Sequence, residues 1–357
     1  MSLTVVREIR SPHALAAEDL DDLETDVLAG YVLARAASGL ADGSVQTEVS
    51  SLGQIRSWFG RPLWEMEPPD ADRFFGQVMR GAAVATRQLR AFALSTYFRF
   101  IELRMKSELY RLTGRIAECP LDEMNTPSGR SRMGLRIPPE EHEVERLFAG
   151  WREDLATCRK FGPAARNFAA ARLMAKVGLR INEARMLDLS DVRWELGRYG
   201  KLHVRHGKGA RGSGPRERMV PLINGGDVLL RWYIEDVWGQ FDADHTRPGA
   251  PLFLSERRGR DGSSLRMGDH ALRLGLAEAA ERHLPGWAGK VTPHVLRHFC
   301  ASQLYLHGMD LMAVQELLGH EWLVTTLRYV HVHRGFVEES WAAGQRRAAE
   351  RLAGLAT

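Results

Sequence analysis

A stretch rich in glycine, proline and arginine divides this chain of 357 residues into two unequal parts. The stretch runs from Asn125 to Pro139 and ends on two consecutive prolines. Such a composition resists regular structure, and the prolines stiffen the exit into the following segment. Because a chain of this length can hold two domains with their own cores, we predict a linker over residues 126–138.

The part before the linker is predicted to be helical. Candidate helices cover residues 44–59, 69–79 and 84–105. In the last of these, large apolar residues recur every three or four positions, which predicts a side that faces a core. The residues on that side are Leu89, Phe92, Ala93, Tyr97 and Phe100. The acidic residues 1–42 are set apart as an N-terminal extension of unknown role.

After the linker, helices are predicted around one small sheet. Lys201–Arg205 and Arg218–Leu222 alternate polar and apolar residues on either side of a glycine-rich turn, which predicts a β-hairpin. Its inward-facing residues are Leu202, Val204, Val220 and Leu222. Helices are predicted over 139–153, 168–177, 227–238, 267–283, 292–307, 311–318 and 324–332. The predicted fold is therefore mostly α-helical, with a small antiparallel β-sheet in the second domain.

Composition argues against several classes of protein. The longest apolar run, Val27–Ala41, is interrupted by Arg35 and is too short for a bilayer span, so we interpret it as a helix of the fold. The N-terminus lacks a basic stretch followed by an apolar one, so no secretory signal is expected. The three scattered cysteines do not form a disulfide framework or a zinc motif, which fits a reducing cytoplasm.

The net charge of +4 and the pI of about 9.1 permit a polyanionic partner without requiring one. Basic residues are most concentrated in the predicted hairpin, between Arg198 and Arg218. On charge alone, this stretch fits a solvated hairpin and a nucleic-acid-binding surface equally well.

The most informative segment runs from Thr292 to Phe299. Thr292 can cap a helix that begins at Pro293. Near the start of this helix, His294 and Arg297 are three residues apart, on one face. An imidazole and a guanidinium near a helix N-terminus suit a phosphate ligand. The alternative is an ordinary surface pair on an amphipathic helix.

Two further segments carry cationic side chains in suitable settings. In Gly178–Glu183, Arg180 begins a short helix and Glu183 follows about one turn later, able to orient the guanidinium. Arginine can bind two phosphate oxygens in a fixed geometry, which lysine cannot do. Lys208 lies between glycines at the hairpin tip, where close approach to a backbone is permitted. The alternatives are a helix-surface ion pair and an exposed turn lysine.

The last segment follows a short helix that ends at Gly319. His320 is placed on the turn, and Tyr329 follows nine residues later. Taken alone, such a tyrosine usually packs in a core.

The order of these pieces resembles that of the tyrosine recombinase (phage integrase) family, with Xer proteins and integrases among its members. That family shows an arginine in a Gly-Leu-Arg-x-x-Glu setting and a hairpin lysine. It then shows His-x-Leu-Arg-His, Leu-Gly-His and a tyrosine nine residues on. The corresponding residues here, in order, are Arg180, Lys208, His294, Arg297, His320 and Tyr329.

The resemblance implies a two-domain architecture. A helical core-binding domain would cover residues 43–125, and a catalytic domain would cover 139–340. A helical tail would follow over 341–357, packed on its own domain or docked on a neighbouring protomer.

The resemblance also implies a site-specific DNA recombinase. Tyr329 would attack a phosphodiester and form a 3′-phosphotyrosyl link, while Arg180 and Arg297 bind the non-bridging oxygens. His294 would accept the tyrosine proton. A second strand's 5′-hydroxyl would then attack the link and join new partners.

Two more residues have implied roles in this scheme. His320 would add a hydrogen bond, and Lys208 would protonate the departing 5′-oxygen. The turn after Lys208 is longer than in compact members of the family, so Lys201 is the alternative lysine.

The expected partners are double-stranded DNA with specific recombination sites, a homotetramer on paired sites, and accessory DNA-binding proteins. No membrane partner is expected. Bond energy is held in the covalent link, so neither a cofactor nor a metal is expected, and His331 with His333 is interpreted as a surface pair. Roles in moving a mobile element and in resolving DNA multimers are both open. The alternatives are a type IB topoisomerase, a telomere-resolving enzyme and a non-enzymatic DNA-binding relative.

Overall fold

The computed structural model describes residues 17–129, 137–207 and 216–319, together with a few helical residues between 341 and 349. The chain divides into two compact units, Met1–Gly134 and Leu135–Thr357. The predicted helix over 324–332, the His331 and His333 pair and most of the tail lie outside the described residues.

The first unit is helical, as predicted. Its α-helices are α1 (Ala17–Ala37), α2 (Asp42–Phe59), α3 (Pro68–Arg73), α4 (Val84–Phe100) and α5 (Lys106–Thr113). A 3₁₀ turn spans Leu63–Glu65, and π-helical turns extend α3 and α4 over Phe74–Val78 and Ile101–Met105. The predicted helices at 44–59, 69–79 and 84–105 are confirmed, with ends shifted by one or two residues.

Helix α1 belongs to the core of this unit. Val27 and Tyr31 are fully buried. The Tyr31 hydroxyl donates to Glu48 Oε2 of α2 at 2.6 Å, and Arg35 donates to both carboxylate oxygens of Glu48. Residues 17–37, to which the sequence assigns no role, therefore stabilise the helices that follow. The domain limits stay a prediction.

The prediction for the core-facing side of α4 is partly wrong. Ala93, Tyr97 and Phe100 are buried as predicted, whereas Leu89 and Phe92 are exposed. The buried stripe is centred on Ala91, Leu94, Phe98 and Ile101, which recur at helical spacing. At about 100° per residue, Leu89 and Phe92 lie on the opposite side from this stripe.

The second unit packs its helices around α7 (Phe161–Val177). The other helices are α6 (Glu141–Asp154), α8 (Ile181–Met186), α9 (Gly226–Trp232), α10 (Asp269–His283), α11 (Pro293–Leu306) and α12 (Leu311–Leu318). A run of buried alanines lets α11 and α10 pack against α7. Helix α7 begins seven residues before its predicted start at Phe168, because the sequence around Pro163 continues the helix.

The predicted hairpin is confirmed. Strands β1 (Val192–Arg193), β2 (Lys201–Gly207) and β3 (Arg216–Pro221) form an antiparallel sheet in that order. Leu202 pairs with Val220, and the four predicted inward-facing residues are all buried.

The prediction of a single sheet is wrong. A second antiparallel pair is formed by β4 (Leu254–Arg258) and β5 (Ser264–Arg266). These strands are rich in arginine and serine and hold few apolar residues, so their sequence lacks the alternation that predicts a strand. Their pairing is fixed instead by tertiary contacts, such as the Arg266 hydrogen bonds to the carbonyls of Met186 and Leu187.

Candidate active site

Glu183 is the centre of the candidate site. Helix α7 ends at Gly178, which has a left-handed φ of 70°, and α8 begins after Arg180. The Arg180 backbone N–H donates to Glu183 Oε2 at 2.8 Å. Its Nη1 donates to Glu183 Oε1 at 2.6 Å. The carboxylate thus caps the first turn of α8 and also holds the guanidinium of Arg180.

Strand β3 contributes a second arginine to this carboxylate. Arg218 donates from Nη1 to Glu183 Oε1 at 3.0 Å and from Nη2 to Oε2 at 2.8 Å. Its Nε donates to the carbonyl of Leu317 at 3.0 Å, near the end of α12. One buried side chain therefore contacts both α8 and α12.

Helix α11 supplies a third arginine. Thr292 caps this helix by accepting from the Val295 backbone N–H at 3.3 Å, as the sequence predicts. Arg297 donates to the carbonyl of Gly178 at 2.6 Å and to that of Leu318 at 2.7 Å. Its Nη1 lies 3.7 Å from Glu183 Oε2. Arg297 thus joins the end of α7 to the end of α12.

The charge balance of this cluster is positive, because three guanidinium groups from the described residues surround one carboxylate. Burial alone would raise the pKa of Glu183, but hydrogen bonds from Arg218 and the charges of Arg180 and Arg297 lower it to about 2. Glu183 is therefore ionised at neutral pH. A cluster of this composition favours an anion such as a phosphate at its exposed edge.

Exposure differs among the arginines. The side chain of Arg180 is 27 % exposed, whereas those of Arg218 and Arg297 are 8 % and 1 % exposed. On α11, His294 is exposed, and its ring contacts the buried His298 edge-on at 4.6 Å between centroids. In this structure, Arg180 and His294 are the solvent-facing members.

Two glycines allow the segments to meet. A Cβ added at Gly178 would lie 2.5 Å from Leu318 Cδ2, and one added at Gly319 would lie 2.9 Å from Arg218 Cδ. Both glycines also adopt a positive φ, which side chains disfavour. Gly178 and the end of α12 at Leu318 are therefore close in space.

The described residues include half of the predicted catalytic set. Arg180 and Arg297 lie in one cluster with Glu183, and His294 lies one turn before Arg297 on α11. Lys208, His320 and Tyr329 lie outside the described residues. The alternative Lys201 begins β2, where it pairs with Pro221.

Two of the remaining residues directly follow described ones along the chain. Strand β2 ends at Gly207, immediately before Lys208, and the α12 cap Gly319 immediately precedes His320.

Arg218 is the member of the cluster to which the sequence assigns no role. A signal was present, because Arg218, Val220 and Leu222 alternate along one strand and Val220 and Leu222 are predicted to face inward. An arginine at an inward-facing position requires an acidic partner. Arg218 also belongs to the basic stretch between Arg198 and Arg218, and the interpretation of that stretch as a solvated hairpin hid its inward-facing position.

A second arginine of the basic hairpin also has a structural partner. Arg205 donates to Asp191 at 2.7 Å and to Asp188 at 2.5 Å, and both carboxylates are buried. Arg266 of β5 also donates to Asp188. The basic stretch is therefore only in part a surface that can meet a polyanion.

The residues that the structure describes contain neither a membrane-spanning helix nor a metal-binding cluster. No helix in the described ranges is long and apolar enough to cross a membrane. Within the same ranges, no group of three or more histidine, cysteine, aspartate or glutamate side chains is arranged to hold a metal ion.

The profile of the phage integrase family matches residues 140–335. The match covers more than half of the chain and all of the predicted catalytic residues, so this chain belongs to the phage integrase family.

Sequence relatives include two Xer proteins. The chain is 36 % identical over 225 residues to the tyrosine recombinase XerD of Mycobacterium tuberculosis, a match that covers 62 % of this chain and 64 % of the relative. It is 30 % identical over 183 residues to the tyrosine recombinase XerC of Oceanobacillus iheyensis, covering 51 % and 54 %. The matches thus span less than two thirds of these relatives.

Solved structures extend the likeness to the whole fold. The integrase of the Tn1549 transposon, in complex with transposon right-end DNA, matches with a TM-score of 0.60 and 16 % identity, over 92 % of this chain and 99 % of that one. The XerH site-specific recombinase, bound to its difH substrate after cleavage, matches with a TM-score of 0.58 and 21 % identity, over 93 % and 86 %. The expected two-domain tyrosine recombinase fold is confirmed.

Proposed function

We propose that this protein is a site-specific DNA recombinase that cleaves and rejoins DNA strands through a phosphotyrosyl intermediate. The observation that carries the proposal is the cluster of Arg180, Arg218 and Arg297 around the buried Glu183, in a chain of the phage integrase family. A cationic cluster fixed in this way can stabilise the charge on a phosphate with little reorganisation during the reaction.

In the proposed reaction, the hydroxyl oxygen of Tyr329 attacks the phosphorus of a DNA phosphodiester. A bond forms between that oxygen and phosphorus as the bond from phosphorus to the 5′-oxygen breaks. His294 accepts the tyrosine proton, and Lys208 gives a proton to the departing 5′-oxygen. The same steps in reverse, with a 5′-hydroxyl from another strand, rejoin the DNA.

The transition state places extra charge on the non-bridging oxygens of the phosphate. Arg180, the most exposed arginine of the cluster, binds one of these oxygens in our proposal. Arg297 donates to the carbonyls of Gly178 and Leu318, so it acts on the other oxygen through its charge, which little water screens because the side chain is buried. His320 adds a hydrogen bond. The phosphotyrosyl bond conserves the energy of the broken bond, so no nucleotide is consumed.

The proposed partners follow from this chemistry. The protein acts in the cytoplasm on double-stranded DNA that carries specific recombination sites, and it forms a homotetramer on two paired sites. Accessory DNA-binding proteins are further partners in this proposal. The biological role is integration or excision of a mobile element, or resolution of DNA multimers.

Capture of covalent complexes tests the proposal. Purified protein is mixed with sheared DNA from its own source, the reaction is quenched with detergent, and the DNA that stays attached is sequenced. We expect enrichment of an inverted-repeat site. Covalent DNA without sequence preference would indicate a topoisomerase instead, and absence of covalent DNA despite binding would indicate a non-enzymatic relative.

A further inference from the structure

We infer that Arg218 is a positioning residue for strand cleavage, which holds Arg180 through Glu183 and holds the end of α12 through the Leu317 carbonyl. The inference rests on the proposed function and adds a residue to the site. Arg218 does not contact DNA in this scheme, because its side chain is buried and its three donor nitrogens face protein acceptors.

The geometry requires arginine. Arg218 contacts Glu183 through two parallel N–H donors, and its Nε is used for a different element. A lysine at this place has one nitrogen and cannot maintain both the two-oxygen contact and the contact with α12. The planar guanidinium therefore fixes the distance between α8 and α12.

Glu183 transmits this position to Arg180. Its Oε1 accepts from both Arg218 and Arg180, so the carboxylate lies between the two guanidinium groups. Its Oε2 accepts from the Arg180 backbone N–H. Loss of Arg218 removes two hydrogen bonds to the carboxylate and so loosens the orientation in which Glu183 holds Arg180.

The contact with α12 has a separate consequence. The carbonyls at a helix C-terminus lack partners within the helix. Here Arg218 binds the carbonyl of Leu317 and Arg297 binds that of Leu318. The chain then turns at Gly319 and continues to His320. Arg218 therefore limits the motion of the end of α12, which leads through Gly319 to His320.

Loss of Arg218 also changes the protonation of Glu183. The charged groups that face this carboxylate among the described residues are Arg180 at the start of α8, Arg218 of β3 and Arg297 of α11. Burial raises the pKa of Glu183, and hydrogen bonds from Arg218 are the first of the contributions that lower it. Without Arg218, the pKa of Glu183 rises, and the carboxylate becomes protonated at a higher pH.

The test compares Arg218→Met with Arg172→Met as a matched control. Arg172 lies in the same unit, is largely buried and also binds a carboxylate, because its Nη2 donates to Glu145 on α6 rather than to Glu183. The measurement is single-turnover cleavage of a nicked DNA substrate that carries the site captured above. DNA affinity is measured in parallel.

We expect Arg218→Met to slow cleavage by about tenfold or more, with DNA affinity within about twofold of wild type. The ratio of the variant's rate to that of wild type falls further as the pH is lowered, because Glu183 becomes protonated at a higher pH in the variant than in the wild type. Arg172→Met keeps the wild-type rate at every pH. Arg218→Lys restores charge without the two-oxygen geometry, and its rate lies between those of Arg218→Met and wild type.

A double-mutant cycle tests the route through Glu183. If Arg218 acts through this carboxylate, Arg218→Met costs about twofold or less in a Glu183→Gln background, instead of about tenfold. Equal losses in both backgrounds would overturn the route.

Hydrogen exchange gives a readout that needs no DNA. We expect faster amide exchange over residues 311–319 in Arg218→Met than in Arg172→Met. Equal exchange and equal cleavage in the two variants would overturn the inference. If Arg218→Met does not fold, a folded Arg218→Lys with the wild-type rate and pH profile would do the same. Failure of the proposed function is distinct, because it would appear as absence of covalent DNA in the wild type itself.

Discussion

Glu183 is a buried carboxylate whose three arginine partners come from three different elements. A buried ion pair of this kind contributes little when it is compared with an apolar core of the same shape. Removal of one partner is costly, however, because the remaining charges stay buried. The cluster therefore specifies how α8, β3 and α11 meet, and its integrity should be visible in stability as well as in catalysis.

The free energy of unfolding should depend on pH through the carboxylate of Glu183. The pKa of Glu183 is lowered from 4.5 to about 2 in the folded state, so its stabilising effect is present above about pH 4.5 and is lost as the pH falls towards 2. We expect Glu183→Gln to lower the free energy of unfolding by roughly 2–4 kcal/mol at pH 7, and the difference from wild type to shrink towards pH 2. Denaturant titrations at several pH values measure this.

Glu145→Gln is the control for that prediction. Glu145 pairs with one arginine and is exposed, so its loss should change stability by about 1 kcal/mol or less. If the two variants lost the same free energy at pH 7, the description of Glu183 as a buried charged centre would be wrong.

At the scale of single elements, the end of α12 shows how a short helix is terminated next to the candidate site. Gly319 adopts φ 65° and its N–H donates back to the Glu316 carbonyl, while Arg218 and Arg297 bind the last carbonyls. A position with this backbone conformation favours asparagine, aspartate or glycine. Only glycine fits here, because a Cβ would meet the anchored Arg218 side chain.

Gly319→Ala is therefore expected to destabilise the protein by about 2 kcal/mol or more, from the left-handed backbone and the clash together. It should also slow cleavage, because His320 follows directly. The matched control is Gly239→Ala, where φ is not positive and no atom lies within 4 Å of the added Cβ. A change within about 0.5 kcal/mol is expected there. Similar losses of unfolding free energy in both variants would contradict the proposed cap.

Elements with a strong periodic pattern could be predicted from the sequence. The hairpin and α11 follow from alternation in the strands, and from the Thr292 cap and Pro293 in the helix. Strands β4 and β5 could not be predicted, because their pairing depends on partners distant in sequence, such as Asp188 and the α8 carbonyls. The buried face of α4 differs from the predicted one, because large apolar residues such as Phe92 can stay exposed when smaller ones fill the core.

The types of residue in the candidate site could be predicted from the sequence, but the contacts that join them could not. Arg180, Glu183 and Arg297 stand out from their motifs, but only the fold shows that a single carboxylate joins them. Arg218 could be assigned to the site only from the register of the hairpin, because that register brings an inward-facing strand position to α8 and α12. Connections of this kind depend on tertiary geometry and have no local signal in the sequence.

At the scale of the whole molecule, each of the two units has its own core. One buried cluster draws its residues from Val27 to Ala117, and the other from Val144 to Leu318. The fold of both units is shared with recombinases that were solved on DNA.

Binding to DNA should depend steeply on salt. The net charge of the chain is only +4, so affinity must come from local phosphate contacts and the release of counterions. With roughly six or more phosphates neutralised, the affinity should fall about 10³-fold or more between about 50 and 200 mM salt. Fluorescence anisotropy with a duplex of the captured site measures this. A slope near zero would contradict binding through the phosphate backbone.

The central claim is that Tyr329 becomes covalently attached to DNA. Protein trapped on DNA is digested with nuclease and then with trypsin, which cuts after Arg328 and Arg334 and releases Tyr329 in a peptide with no other hydroxyl group. We expect this peptide to carry a nucleotide through its 3′-phosphate in mass spectra of the wild type. In Tyr329→Phe, the peptide should carry none although DNA binding is retained. An adduct on a different residue, or an adduct that survives in Tyr329→Phe, would contradict it.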